Sequence, residues 1–195
     1  IAEGLMIAET DLPSCTSLME SRCLLGSAPV FQTFQRKFER RIVKKRSQRF
    51  ILDKIEERER EYVKFGESVF MLEPNIKKSK GGLRDVHLLQ WIGQVRYGAG
   101  TIQELSNRGL IAIQDYQVLQ EAQEFLWRVR CFLHFEAGRA QDILTFDDQV
   151  RLSAQWGFVD HPHLLAVEQF MQVYFRHTTG LFDRCRRFLD QAKEV

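Results

Sequence analysis

The stretch "EPNIKKSKGGLRDVH", Glu73 to His87, gathers the groups in this chain best suited to holding an anion. Lys77, Lys78 and Lys80 supply mobile positive charge, and Arg84 supplies a planar fork that matches phosphate oxygens two at a time. Gly81 and Gly82 can reach backbone angles closed to other residues, so their N–H groups can converge on one anion. A helix starting directly after them adds unpaired N–H donors and the positive end of its dipole. Asp85, in the first turn of that helix, either complements the dipole or holds Arg84 in place. The spacing is not that of a Walker A loop. The residues alone leave two readings open. One is a phosphate-binding loop with Lys77, Lys78, Lys80, Gly81, Gly82 and Arg84 as its contacts. The other is a basic surface turn in which Arg84 and Asp85 pair internally to fix a helix start.

A second charged stretch, Arg36 to Arg49, carries eight Lys or Arg against one acid, Glu39. On a helix, Arg36, Arg40 and Lys44 form one row and Arg41 and Lys45 its neighbour, and like charges at that spacing repel. A phosphate, a nucleic-acid backbone or an acidic protein surface would relieve the repulsion. A solvated face balanced by the Glu-rich turns that follow (Glu56, Glu57, Glu59 and Glu61) is the plainer explanation. No aromatic residues interleave as base-stacking platforms, so nucleic acid is not the expected partner.

The remaining candidates point to structure. His87 follows the loop and can face a ligand, His134 sits within an apolar stripe as a core histidine, and "DHPH" (Asp160 to His163) reads as a helix start. No Ser-His-Asp or Cys-His arrangement stands out, so no catalytic residue and no metal site is assigned. Cys15, Cys23, Cys131 and Cys185 make no CxxC pair and read as reduced, mostly buried thiols.

The elements that must position the loop are helices. Val30, Phe31, Phe34, Phe38 and Ile42 recur at helical spacing after Ser27-Ala-Pro29, and Phe50, Ile51, Ile55 and Tyr62 continue a similar face to Gly66. Leu83 to Tyr97 resumes the period after the loop. Thr101 with Glu104 and Thr145 with Asp148 are capping signals, as is Ser17 with Glu20, after which Gly26 marks a stop. Ile113 to Leu133 is the most regular stripe, and Asp160 with Pro162 opens a last helix carrying Leu164 to Phe188. "SVFML", Ser68 to Leu72, is the one short extended candidate. The expected fold is an all-α helical bundle with short links, divided at residues 1–66 and 67–195.

Composition agrees: 195 residues, 44% hydrophobic, 28% charged and a net charge of only +2 describe an ordinary globular chain with local charge clusters. No apolar run approaches a membrane span, and no leader is visible, which points to the cytoplasm. The chain opens on Ile1-Ala2-Glu3 without Met and in the middle of an apolar pattern, so a fragment of a longer protein is expected.

"LEPNIKKSKGGLRDVHLLQWI", Leu72 to Ile92, closely resembles the signature of the bacterial protein-PII uridylyltransferases, bifunctional uridylyltransferase/uridylyl-removing enzymes of nitrogen regulation. "DLPSCTSLMESRCLLGS", Asp11 to Ser27, is similar to the family segment that leaves the nucleotidyltransferase core. Phe125 to Phe158 and Phe170 to Cys185 are similar to its helical region. A weaker likeness, to the glutamine-synthetase adenylyltransferases, shares the Gly-Gly-hydrophobic-Arg-acid pattern. The resemblance implies a parent enzyme that uses Mg2+ and UTP to uridylylate the PII signalling protein. The family's Gly-Ser followed by Asp-x-Asp, its His-Asp metal domain and its small-ligand sensing domains have no counterpart here. The chain is therefore expected to be the helical region after the core, docked on that core in cis and binding no cofactor tightly alone. Lys77, Lys78, Lys80, Gly81, Gly82 and Arg84 would then lie beside the nucleotide cleft.

Overall fold

The computed structural model describes residues 2–193, with the side chains at positions 2, 42 and 44 outside the described set. Ile1, Ile42 of the predicted apolar face and Lys44 of the predicted basic row thus lie outside it. Among the described residues the chain forms α-helices and no strand: α1 (Ala2–Thr10), α2 (Leu12–Met19), α3 (Ala28–Phe38), α4 (Lys44–Phe65), α5 (Leu83–Tyr97), α6 (Ile102–Asn107), α7 (Ile113–Ala137), α8 (Phe146–Gln155) and α9 (Ala166–Lys193). A five-residue π-helical stretch, Glu39–Val43, joins α3 to α4.

Most helix ends follow local signals. Thr101 and Thr145 close reciprocal capping boxes with Glu104 and Asp148. Gly98 and Gly138 end α5 and α7 in the left-handed conformation that glycine adopts without steric penalty. Three expectations need correction. The helix expected to start at Ser17 starts earlier, because Asp11 takes the Ser14 N–H at 2.8 Å and Pro13 sits in the first turn. Ser17 therefore lies near the end of α2, and the helix stops at Met19, well short of Gly26. The last helix begins at Ala166, not at Asp160. Residues 161–164 turn tightly through a His161–Leu164 bridge, and the Asp160 carboxylate reaches forward to the Ala166 N–H at 2.7 Å. Ser68 to Leu72 makes bends, with Phe70 resting edge-on against Phe175 at 5.3 Å; a lone bridge between Asn75 and Ile143 is all the pairing nearby.

α9 is the central strut, packing against α4, α5, α7 and α8. It buries Phe170, Tyr174, Leu181, Cys185 and Phe188. Phe125 of α7 meets Trp156, Phe170, Tyr174 and His177 in one aromatic cluster, with the His177 ring stacked on it at 4.4 Å. One continuous apolar core runs from Leu5 to Ala192, so the loop of residues 66–82 is held between helices already fixed to each other.

Candidate functional site

The turn from α4 to α5 is built by its own side chains. The Asn75 Oδ1 accepts the N–H groups of Lys77 and Lys78 at 3.1 and 2.8 Å, an Asx turn. The Ser79 hydroxyl accepts the Asn75 N–H at 3.0 Å and donates to the Phe65 carbonyl at 2.9 Å, pinning the turn to the end of α4. Leu83 and Arg84 start α5 by donating back to the carbonyls of Ile76 and Lys77.

Beneath the turn lies a buried charge pair. Arg58 of α4 is 3% exposed and Asp85 of α5 is 1% exposed. Arg58 Nε donates to Asp85 Oδ1 at 2.7 Å, the Tyr62 hydroxyl donates to the same oxygen at 2.6 Å, and the Gly81 N–H donates to Oδ2 at 2.7 Å. The rest of the guanidinium is used too, reaching the Lys78 and Ser79 carbonyls and Glu61. Burial works against the Arg58 charge, but Asp85 outweighs it and holds the guanidinium above its ordinary pKa. Burial first, and then the Asp85 charge, push the Tyr62 phenol well up, so it stays a donor.

This arrangement revises two expectations. Asp85 pairs with Arg58, not with Arg84. The Gly81 and Gly82 N–H groups do not form an open nest: Gly81 donates to Asp85, and Gly82 donates to the Ser79 carbonyl at 3.0 Å. The glycines are required for space. Gly81 has φ +74°, and a Cβ there would lie 2.7 Å from the Thr178 carbonyl carbon on α9 and closer still to its oxygen. At Gly82 a Cβ would lie 2.7 Å from the Ile76 carbonyl oxygen.

The basic side chains radiate from this fixed turn. Lys78 leans over Phe65 at 4.5 Å, and Lys80 over Tyr62 and Phe182 at 5.3 and 5.7 Å, towards α9. Arg84 points to the other side, over Trp91 at 5.6 Å, with its Nε buried, 4.0 Å from a Glu61 oxygen and without a hydrogen-bond partner among the described residues. There it borders a cavity of about 270 Å³ between α2, α4 and α5, lined also by Thr16, Lys54, Glu57, Glu61 and Trp91. Lys54 is 5% exposed, lies over Trp91 at 4.5 Å and pairs with Glu57. Sequence reading missed Lys54 and Arg58 and took Glu57 and Glu61 as solvated surface; both acids instead serve these inward-facing cations.

His87 stands beside Trp91, and burial, then Arg84, pull its pKa below the ordinary value. His134 is no core residue: it is half-buried and faces Asp142 at 3.3 Å, alongside Arg130 at 2.7 Å. Cys15 and Cys185 are buried, whereas Cys23 and Cys131 are exposed. Along 36–49, Arg36, Lys37, Arg40, Arg41, Lys45, Arg46 and Arg49 face solvent; Arg41 pairs with Glu9, and Arg49 with Asp53 at 2.9 Å. No group of three or more His, Cys, Asp or Glu side chains converges among the described residues. No described helix is long and apolar enough to cross a membrane.

An all-helical domain whose buried Arg-Asp-Tyr clamp presents a lysine-rich turn is what the fold and site define. The family profile of the GlnD PII-uridylyltransferases matches residues 49–189. The chain is 36% identical over 175 residues to the bifunctional uridylyltransferase/uridylyl-removing enzyme of Bradyrhizobium diazoefficiens, covering 90% of this chain and 19% of that protein. It is 37% identical over 173 residues to the enzyme of the same name from Novosphingobium aromaticivorans, covering 89% and 19%. No solved structure matches. The chain belongs to the GlnD PII-uridylyltransferase family, and it spans about a fifth of the length of these relatives.

Proposed function

We propose that this chain serves a cytoplasmic uridylyltransferase that moves UMP from UTP to a tyrosine of the PII signalling protein in nitrogen regulation. In that reaction a tyrosine oxygen forms a bond to the α-phosphorus, the α–β phosphate bond breaks and pyrophosphate leaves. UTP and Mg2+ belong to the parent enzyme, where an adjoining nucleotidyltransferase core holds the metal. Residues 1–66 form the segment leaving that core, and residues 67–195 form the helical domain set beside the nucleotide cleft. Lys77, Lys78, Lys80 and Arg84 bring positive charge to the triphosphate or to the core interface, and Gly81 and Gly82 shape the turn. Positive groups fixed near a leaving pyrophosphate stabilise the charge that develops on it. The observation carrying this reading is the buried Arg58–Asp85–Tyr62 clamp, which holds the basic turn in one conformation within the family-matching segment.

The test is Arg84→Ala and Lys80→Ala in the full-length parent enzyme, measuring UTP affinity and turnover. Losses in either are expected; unchanged values in both end the reading. The exposed cations along 36–49 favour a second reading, a module binding an acidic protein or nucleic acid. Salt-steep binding of nucleic acid by this chain alone would mark it.

A further inference from the structure

The cavity between α2, α4 and α5 is walled by charged groups whose hydrogen-bonding capacity is only partly used. Its volume of about 270 Å³ stands at the lower edge of ordinary ligand pockets, roughly 300–1,000 Å³, and suits one ring better than a whole nucleotide. Lys54, Glu57 and Glu61 follow one another along its wall at steps of three and four residues on α4. Arg84 of α5 comes next, its Nε 4.0 Å from a Glu61 oxygen. Donors thus stand at the two ends of the row, and acceptors stand between them.

Each member of the row has bonds to spare. The Lys54 ammonium donates to Glu57 and rests over the Trp91 ring, which leaves further donors. The Arg84 guanidinium makes no hydrogen bond among the described residues. Glu57 accepts from Lys54 and Glu61 from Arg58 through one oxygen each, and the second oxygen of each accepts no hydrogen bond among the described residues. Arg58 is spent on Asp85, Glu61 and two backbone carbonyls, so it adds nothing to the cavity.

This set selects by charge and by order. An anion would face both carboxylates, and a cation would face Lys54 and Arg84. An apolar ligand would shut those donors away from water without partners. A neutral ligand with acceptors on the outside and a donor between them satisfies the row. Guanidinium and carboxylate groups bond close to their own planes, so a flat ring presents such an edge best. The imide edge of uracil, an N–H between two carbonyls, has that order. Cytosine offers instead an NH2, a bare ring nitrogen and one carbonyl.

We infer that this cavity is the subsite for the uracil ring of the nucleotide, with Lys54, Arg84, Glu57 and Glu61 reading its imide edge. The choice of uracil among flat imides rests on the uridylyltransferase reading; the order of donors and acceptors does not.

Uridine, which carries no phosphate, titrated into the whole 195-residue chain and followed by NMR tests the subsite. The chain has three tryptophans, whose indole N–H resonances report separately. That of Trp91, which lines the cavity and donates to Glu20 at 2.6 Å, is expected to move, while those of Trp127 and Trp156 stay. Cytidine is expected to bind at least about fivefold more weakly, and glycine, a small zwitterion, to leave Trp91 unmoved. Ser17 lines the α2 side, and its hydroxyl makes no hydrogen bond among the described residues. Ser17→Leu therefore narrows the cavity without breaking an internal bond, and it is expected to weaken uridine about tenfold with the unfolding temperature kept. Arg84→Gln is expected to weaken it about fivefold or more. The inference is overturned if uridine leaves Trp91 unmoved, if cytidine binds as tightly, if glycine moves Trp91 as uridine does, or if Ser17→Leu binds uridine like wild type. A chain that binds uridine here, in a parent enzyme indifferent to Arg84→Ala and Lys80→Ala, keeps the subsite and loses the uridylyltransferase role. A parent enzyme sensitive to Lys80→Ala, a residue outside the cavity, with Trp91 unmoved by uridine, keeps the role and loses the subsite.

Discussion

Replacing Asp85 by Asn tests the clamp that fixes the basic turn. Asp85 is 1% exposed and accepts from Arg58, Tyr62 and the Gly81 N–H, so both carboxylate oxygens face donors. Asn keeps the shape but must point its NH2 at one of those donors, and it leaves the Arg58 charge, itself 3% exposed, with only the partly exposed Glu61 as counter-charge. Removing one partner of a buried ion pair costs about 3–5 kcal/mol, because the remaining charge stays buried. In a chain of this size each kcal/mol lowers the midpoint by roughly 2–4 °C, so a fall of about 6–20 °C is expected. Urea unfolding followed by far-ultraviolet circular dichroism gives the free energy, and a thermal scan gives the midpoint. Tyr62→Phe removes one hydrogen bond to a charged acceptor and leaves the ion pair intact, so about 1.5–3 kcal/mol is expected. In the double variant Arg58→Gln/Asp85→Asn the two losses should fall short of additive by about 2 kcal/mol, since neither charge is then stranded. A loss under about 1 kcal/mol for Asp85→Asn, the size of an ordinary surface change, would refute the clamp.

Three further outcomes follow from the same geometry. Gly81→Ala meets the Thr178 carbonyl at a left-handed φ, whereas Gly109→Ala has φ +70° and open space; urea titration should show Gly109→Ala costing about 1–2 kcal/mol and Gly81→Ala clearly more, and equal losses would remove the close-approach explanation. The folded pKa of His87 lies below the ordinary 6.5, so the unfolded chain binds its proton first; as pH falls below that value wild type should lose stability relative to His87→Gln, and parallel stability curves would contradict the burial of His87. Burial pushes the Cys15 thiol up to about 11 and the Cys185 thiol well up, so a thiol reagent should modify Cys23 and Cys131 quickly and the other pair only after denaturant is added; four equally fast thiols would speak against the packing of α2 and α9.

The helices were legible because their signals are local. Thr101 with Glu104, Thr145 with Asp148, and the glycines at 98 and 138 act within a few residues of where they sit. The misread starts at Ser17 and Asp160 arose where two capping signals competed or where a proline turn preceded the cap. For the site, the turn itself was legible from Lys, Gly-Gly and Arg in one run, but its internal wiring was not. Arg58 and Asp85 are 27 residues apart, and each reads as a surface charge in its own neighbourhood. One clue was available: Lys54 and Arg58 fall at three- and four-residue steps along the stripe Ile51, Ile55 and Tyr62, so on a helix they share its buried face. His134 shows the opposite error, a polar residue on an apolar stripe that turns to an acid beyond the helix end.

By itself the sequence determined an all-α chain, the boundaries of most helices, a basic turn with two glycines and the family resemblance. All of these depend on residue type and short spacing along the chain. Only the tertiary structure decided which charges meet. It buried Arg58 against Asp85, spent the glycine N–H groups inside the chain, sent Lys80 and Arg84 to opposite sides of one turn, and tied Asp142, the partner of Arg130 on α7, to the backbone of that turn. Such encounters follow from how α4, α5, α7 and α9 pack, and helix packing is set by the whole core rather than by any single stretch of it.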